Sequence, residues 1–410
     1  MAFGQKLKKA YKSVSDWLAK KENGEFCLLF LFVCAILPYF GAAWLQRTLG
    51  EDFYYTWRAV GTNLLGCVAA YRLIHNLLTK KKLYWPSCFV VAYGLYKFTI
   101  YVSTGIHSGW DTGIINGDVA LILILCLLST DGKRILKAVS VISMGMIIVT
   151  ALSMFFPIET IYGNIYFAGG KNALSMMLFP AAFFVLLNSV VQTGKPRKTD
   201  LIFLVLSICT VLFGRSGVGI IVTGVLLLGI VLFLLWKKPW KWLFISLIAL
   251  GYILLVFFTN ILIDNSIWGG FTHLLGKSST LTARTQIWDV AMDVIAENLF
   301  IGVGRGTKMW YFNDYGEWMY KTEAHNFLVE IFLTGGIVSF ILYAWAVAEA
   351  VKGLNMRKMA SKIIFLALCI VFVNGLGESS NNQIWVVLTL FFAYYCSRQK
   401  PQGTALWTED

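Results

Sequence analysis

Apolar runs long enough to cross a bilayer follow one another along nearly the whole chain, and they fix the class of fold before any motif is read. A hydrocarbon layer about 30 Å thick needs roughly 20 apolar residues of helix to span it. Runs near that length lie at 26–44, 57–78, 84–104, 113–130, 134–156, 172–191, 200–213, 217–236, 242–260, 325–350, 361–376 and 383–397, the seventh and twelfth being short. Lipid offers no hydrogen bonds, so such segments satisfy their backbone groups internally, as helices. The expected fold is an all-α polytopic membrane protein with about twelve transmembrane helices. Composition agrees: 58% of residues are hydrophobic and 14% charged, with a mean hydropathy of +0.68, whereas soluble domains carry about 25% charged residues.

The connections test that count. With the N-terminus in the cytoplasm, the inward loops at 79–82, 131–134, 194–198, 237–241, 352–358 and 397–400 are rich in Lys and Arg. The short outward loops at 46–52, 107–113, 156–164, 213–217 and 377–382 are poorer in them. Cytoplasmic loops carry the Lys/Arg excess, so twelve spans with both termini inside are expected. The net charge of +13 is then a topological signal. No Arg-rich stripe interleaved with aromatics lies on a polar domain, so no nucleic-acid partner is expected. The organisation reads as a basic amphipathic segment at 1–25, spans 1–9 over 26–260, an outward loop at 261–324, spans 10–12 over 325–397 and a cytoplasmic tail at 398–410. The first span has no small-residue cleavage site and is expected to be retained. The basic segment before it suits anionic lipid. All eight cysteines (Cys27, Cys34, Cys67, Cys88, Cys126, Cys209, Cys369 and Cys396) fall in apolar runs without CxxC spacing, a pattern of packing residues.

One long polar interruption, Leu281 to Gly336, breaks the apolar pattern and faces outward in this topology. Its Thr282–Asn298 stretch is a helical pattern with Ile287, Val290, Ala291, Val294 and Ile295 on one face and Asp289, Asp293 and Glu297 opposite. Such a helix lies on the outer membrane surface or covers a cavity. Arg284 and Trp288 share a face near its start. Gly302, Gly304 and Gly306 lack the Lys-Ser/Thr of a phosphate loop and read as a turn ending that helix. Arg215 sits in a tight outward hairpin between two apolar helices, where a cation is costly unless it meets water or an anion. Ser216 and the next helix start point the same way, which suits phosphate oxygens. His325 opens the tenth span beside Glu323 and Asn326 and suits a near-neutral base. Two further outward clusters hold Lys171-Asn172 and Glu378. No Asp-x-Asp or His/Cys cluster offers an evident metal site.

These residues resemble a known family. The run Thr282-Ala283-Arg284-Thr285-Gln286-Ile287-Trp288, then Asn298 to Gly304, then His325-Asn326-Phe327-Leu328-Val329-Glu330 and Gly335-Gly336, is similar to the O-antigen ligase/polymerase superfamily of bacterial envelopes. Arg215 and Lys171-Asn172 fall where that family has comparable motifs. Ala283 and Gly214 depart from its common Gly and Ser but leave the cations in place. The resemblance implies a GT-C-like membrane glycosyltransferase of the bacterial inner membrane, acting at the outer face. The implied donor is an undecaprenyl-diphosphate-linked glycan and the acceptor a glycan or lipid A–core. A chain-length regulator or flippase of the same pathway is an implied partner, and no cofactor is implied. Arg215 and Arg284 would hold the diphosphate and His325 would contact or deprotonate the acceptor hydroxyl. Lys171, Asn172, Trp288, Arg305, Glu323, Asn326 and Glu378 complete the expected substrate contacts.

Polymerase and ligase both remain open, with the Glu323 to Glu330 run and the Lys-rich inward loops leaning toward polymerase. A transporter or flippase is the reading from another class. Such a protein needs a polar path through the bilayer, and Arg58, Arg72, His75, Lys97 and Asp118 are the few ionisable candidates within spans. The polar residues concentrate at the outer end instead, which favours an enzyme.

Overall fold

The computed structural model describes residues 42–80, 87–109, 112–160, 163–236, 239–262, 284–312, 317–379 and 384–398, with a few more between 30 and 39. The expected basic segment, most of the first span, the part of the outward loop holding His273 and the tail beyond Arg398 lie outside the described residues. Helices α1 (Ala42–Leu49), α2 (Glu51–Lys80), α3 (Cys88–Ser108) and α4 (Thr112–Ser153) come first. A short antiparallel hairpin, β1 (Ile165–Tyr166) and β2 (Gly169–Gly170), leads into α5 (Lys171–Thr193), α6 (Lys198–Phe213), α7 (Gly217–Leu235) and α8 (Lys241–Leu262). Then follow α9 (Arg284–Glu297), the hairpin β3 (Met309–Phe312) and β4 (Trp318–Lys321), α10 (Phe327–Lys352), α11 (Met359–Gly375) and α12 (Ile384–Ser397). Segments Cys88–Ser108, Gly132–Ser153, Lys171–Thr193 and Phe327–Lys352 are long and apolar enough to cross a membrane, and α7, α8, α11 and α12 contain shorter apolar stretches. The chain is a mostly helical membrane protein.

One expected turn is absent. The sequence reading puts an inward loop at 131–134 between two spans, but α4 runs unbroken from Thr112 to Ser153 over 42 residues. That is roughly 63 Å of helix at 1.5 Å per residue, about twice a hydrocarbon core. Nothing in the local sequence forces a break: there is no proline, and a lone glycine costs a helix only about 1 kcal/mol. Gly132 is there for another reason. A Cβ on it would lie 2.6 Å from the Tyr395 ring, so α4 and α12 meet closely at this point.

Helix α5 is the centre of the bundle. Of its most apolar window 94% is buried, and α4, α6, α7 and α11 pack around it. A helix apolar on all sides belongs in such a position. A buried polar tie runs from Ser175, whose hydroxyl donates to Asn374 Oδ1 of α11 at 2.7 Å. Beside this core, α3 lies along α10, and α9 packs Ile287, Ala291 and Ile295 against Val329 and Leu333 of α10 and Met309 and Tyr311 of β3. The expected amphipathic helix therefore turns its apolar stripe toward protein.

The segment after α9 repairs a break in α10. Gly336 (φ 63°, ψ −164°) interrupts that helix in a region of backbone space essentially closed to side-chain-bearing residues. The break frees two carbonyls above it and two N–H groups below. Val303 N–H donates to Leu333 O at 2.8 Å and Gly304 N–H to Thr334 O at 3.1 Å. In return Ile337 N–H donates to Leu299 O at 2.8 Å and Val338 N–H to Phe300 O at 3.2 Å. Irregular backbone within a membrane protein persists where protein satisfies it, and these four bonds do so. The turn ending α9 is thus present, and its glycines serve backbone contact: a Cβ on Gly302 would lie 2.5 Å from the Leu333 carbonyl.

Candidate functional site

Three residues far apart in sequence, Asn172, Arg284 and His325, meet at Glu378, just beyond the end of α11. Arg284, the first residue of α9, donates from Nη2 to Glu378 Oε1 at 2.7 Å. His325 Nδ1 stands 3.5 Å from Glu378 Oε2, in ion-pair range but at the limit of a hydrogen bond. The Asn172 amide also favours the ionised carboxylate, and its Oδ1 accepts the Ser216 hydroxyl at 2.8 Å. Burial pushes the Glu378 carboxyl up, but the His325 bond, the Arg284 and His325 charges and Asn172 outweigh it and hold the pKa below the ordinary carboxylate value. Glu378 is therefore an anion shared between a guanidinium and an imidazole.

The backbone supports this meeting at cost. Among the described residues the two non-glycines with positive φ are Arg215 (48°) and His325 (49°). Left-handed backbone is uncommon for such residues and clusters at functional sites, at roughly 1–3 kcal/mol each. At His325 the turn is fixed on both sides. The Trp288 indole donates to Ala324 O at 2.8 Å, and Ala324 N–H donates to the buried Glu330 at 2.8 Å. Asn326 caps α10, its Oδ1 accepting from Leu328 N–H at 3.0 Å and Val329 N–H at 3.1 Å. At Arg215, Ser216 caps α7 through Gly219 N–H at 3.3 Å, and the guanidinium is exposed with no ion pair or hydrogen bond among the described residues.

The network forms one wall of a cleft of about 680 Å³, lined by Glu378, Asn172, Lys171, Glu323, Tyr166 and Arg47 among others. Four of the expected substrate residues, Lys171, Asn172, Glu323 and Glu378, thus share one cavity, and Arg284 and His325 touch it through Glu378. Arg215 approaches by its chain neighbour Ser216 on Asn172.

Other expectations need correcting. Trp288 is 2% exposed and Asn326 0%; packing and capping occupy both, so they position the turn and do not face the cleft. Ser216 is likewise buried and its oxygen is taken by Gly219 and Asn172, leaving nothing for a phosphate. Arg305 is fastened by its backbone N–H to Thr104 of α3 at 3.0 Å and does not line the cleft. Glu378 lines the cleft and at the same time holds Arg284 and faces His325. Two contributors went unread. Arg47 was legible only as a charge in a short loop, and the outward loop at 156–164 gave no hint that its residues wall the cleft. Glu330 was visible as a carboxylate inside an apolar run, which is itself a functional signal.

Residues 202–344, about a third of the chain, match the family model described as O-antigen ligase. This match supports a likeness of that segment to the O-antigen ligase/polymerase superfamily. The matched segment holds Arg215, Arg284 and His325, while Lys171, Asn172 and Glu378 lie on either side of it. That likeness supports an enzyme of ligase or polymerase type acting on lipid-linked glycan in a membrane. Comparison with curated proteins and with solved structures returned no match.

Proposed function

We propose that this protein is an inner-membrane glycosyltransferase that polymerises undecaprenyl-diphosphate-linked repeat units at the outer face of the membrane. The observation that carries the reading is the convergence of Arg284 and His325 on Glu378 at the wall of a polar cleft, in a chain whose residues 202–344 match the O-antigen ligase family model. With Nδ1 turned to Glu378, His325 has Nε2 for the acceptor hydroxyl, the orientation that a carboxylate partner imposes on a catalytic imidazole. The acceptor oxygen attacks the anomeric carbon of the donor glycan and its proton passes to His325. The bond from that carbon to the diphosphate oxygen breaks, and its electron pair leaves with undecaprenyl diphosphate. Arg215 and the unpaired edge of Arg284 offset the charge growing on that leaving group, as pre-placed cations do. Arg58, over the Tyr39 ring at 4.4 Å, and Lys97, between the Tyr93 and Tyr96 rings at 5.7 and 5.6 Å, lie off the cleft, which gives a transport path little support.

The family description itself favours a second reading, transfer of the finished glycan to lipid A–core. Purified protein in lipid, given a lipid-diphosphate-linked repeat unit with chelator present, separates the two. A ladder growing by whole repeats is the expected result, unchanged by the chelator. A single addition that requires lipid A–core makes the protein a ligase. No covalent product with either acceptor overturns the transferase reading.

A further inference from the structure

Two kinds of charge line the cleft. Glu378 is ion-paired with Arg284 and faces His325. Arg47, in the last turn of α1, and Lys171, the first residue of α5, line the same cleft, and α1 packs against the β1–β2 hairpin that leads into Lys171. Both side chains are exposed, and neither meets a carboxylate among the described residues. Of the two carboxylates that line the cleft, Glu378 is already shared and Glu323 is exposed without an ion-pair partner. Two cations therefore face one uncommitted anion. Around them are neutral hydrogen-bonding groups such as Asn164 and Thr160, which suit hydroxyl-rich ligands. At about 680 Å³ the cleft falls inside the ~300–1,000 Å³ range of sites that enclose small molecules.

We infer that Arg47 and Lys171 form a second anion-binding subsite of the cleft, in addition to Arg215 and Arg284. It takes a carboxylate or phosphate carried either by the saccharide or by its lipid diphosphate. The ligand class rests on the glycan-transfer reading; the anion preference rests on the cleft alone. Arg supplies a fork matched to carboxylate or phosphate, and Lys adds a compact charge beside it. An anion held by Arg47 and Lys171 would give a glycan a fixed point in the cleft besides the reacting centre, limiting which hydroxyl or anomeric carbon meets His325.

Binding in nanodiscs of neutral phosphatidylcholine tests this without any transfer step. The full chain would be titrated with undecaprenyl diphosphate, with trigalacturonate and with neutral maltotriose, as wild type and as the Arg47→Gln/Lys171→Gln double variant. The double variant is expected to weaken at least one anionic probe about tenfold or more, the effect of losing charge-assisted contacts, and to leave maltotriose unchanged. Weakening of trigalacturonate alone assigns the anion to the saccharide; weakening of undecaprenyl diphosphate assigns it to the carrier. Arg47→Lys/Lys171→Arg should restore binding, and unchanged thermal unfolding of the double variant excludes a folding defect. The inference is overturned if no anion binds the wild type, if the double variant binds all probes as the wild type does, or if maltotriose weakens equally. A wild type that binds anions but forms no product would sink the transferase reading and leave this subsite standing.

Discussion

Glu378 is the residue on which the proposed site depends, because it holds Arg284 and faces His325 at once. Glu378→Gln keeps the shape but removes the charge that Arg284 and His325 face, so transfer should fall by ~10²-fold or more. Glu378→Asp should recover part of it in the same product assay. The pH dependence follows from the lowered carboxyl pKa. A carboxylate held below its ordinary value of 4.5 adds stability above that value and loses it as pH falls through the depressed one. Unfolding temperature in detergent should thus drop on acidification below about pH 4.5, and Glu378→Gln should flatten that limb. Arg215→Ala, Arg284→Ala and His325→Ala should each abolish product while membrane abundance stays near wild type; near-normal product from all three removes the site assignment. The sequence allowed these residues to be named because a charge beside an apolar run is conspicuous. Which of them face the cleft and which are packed away was not legible. Trp288 and Asn326 stand in the same motifs as Arg284 and His325, and burial alone separates the two roles.

At the scale of the element, the site depends on the splice between the 299–304 segment and the break in α10. His325 opens α10 and Arg284 opens α9, so the bonds joining the far end of α9 to α10 hold both helix starts in register. Gly336→Ala forces a side chain into a backbone region nearly closed to it and into the Phe300 carbonyl. It should cost on the order of 2–5 kcal/mol, read as a lowered unfolding temperature, and activity should fall with it. If Gly336→Ala melts as the wild type does, the break is not structural. Helix existence was well read from apolar length, because each span must satisfy its own backbone. The break was not, since exchanged bonds between residues about 35 apart leave only glycines as a trace. The continuous α4 is the opposite case: Lys and Arg in 131–134 mark a membrane boundary without marking a turn.

At the scale of the whole molecule, the helices sort the loops into two ends. At one end Lys241 Nζ meets Val351 O at 2.7 Å, Lys362 Nζ meets Phe233 O at 2.8 Å, and Arg398 and Lys352 both meet Glu349. At the other lie Arg47, Lys171, Ser216, Arg284, His325 and Glu378. The first group comes from loops expected inside by their Lys/Arg content and the second from loops expected outside, whereas the unbroken α4 joins two loops both expected outside and departs from strict alternation. Helix α5 joins the ends directly, with Lys171 at the cleft and the exposed Lys195 just past its far end. This permits a test of sidedness in a cysteine-free background. Glu159→Cys, exposed near the cleft, should react with a membrane-impermeant maleimide in intact spheroplasts. Lys195→Cys should react only after the membrane is permeabilised. Two labels on the same side would mean that α5 does not cross, and a cytoplasmic Glu159→Cys would put the cleft where no lipid-linked donor at the outer face reaches it. The opposite pair of outcomes would place the cleft, the histidine and both arginines on the face where the glycan is assembled.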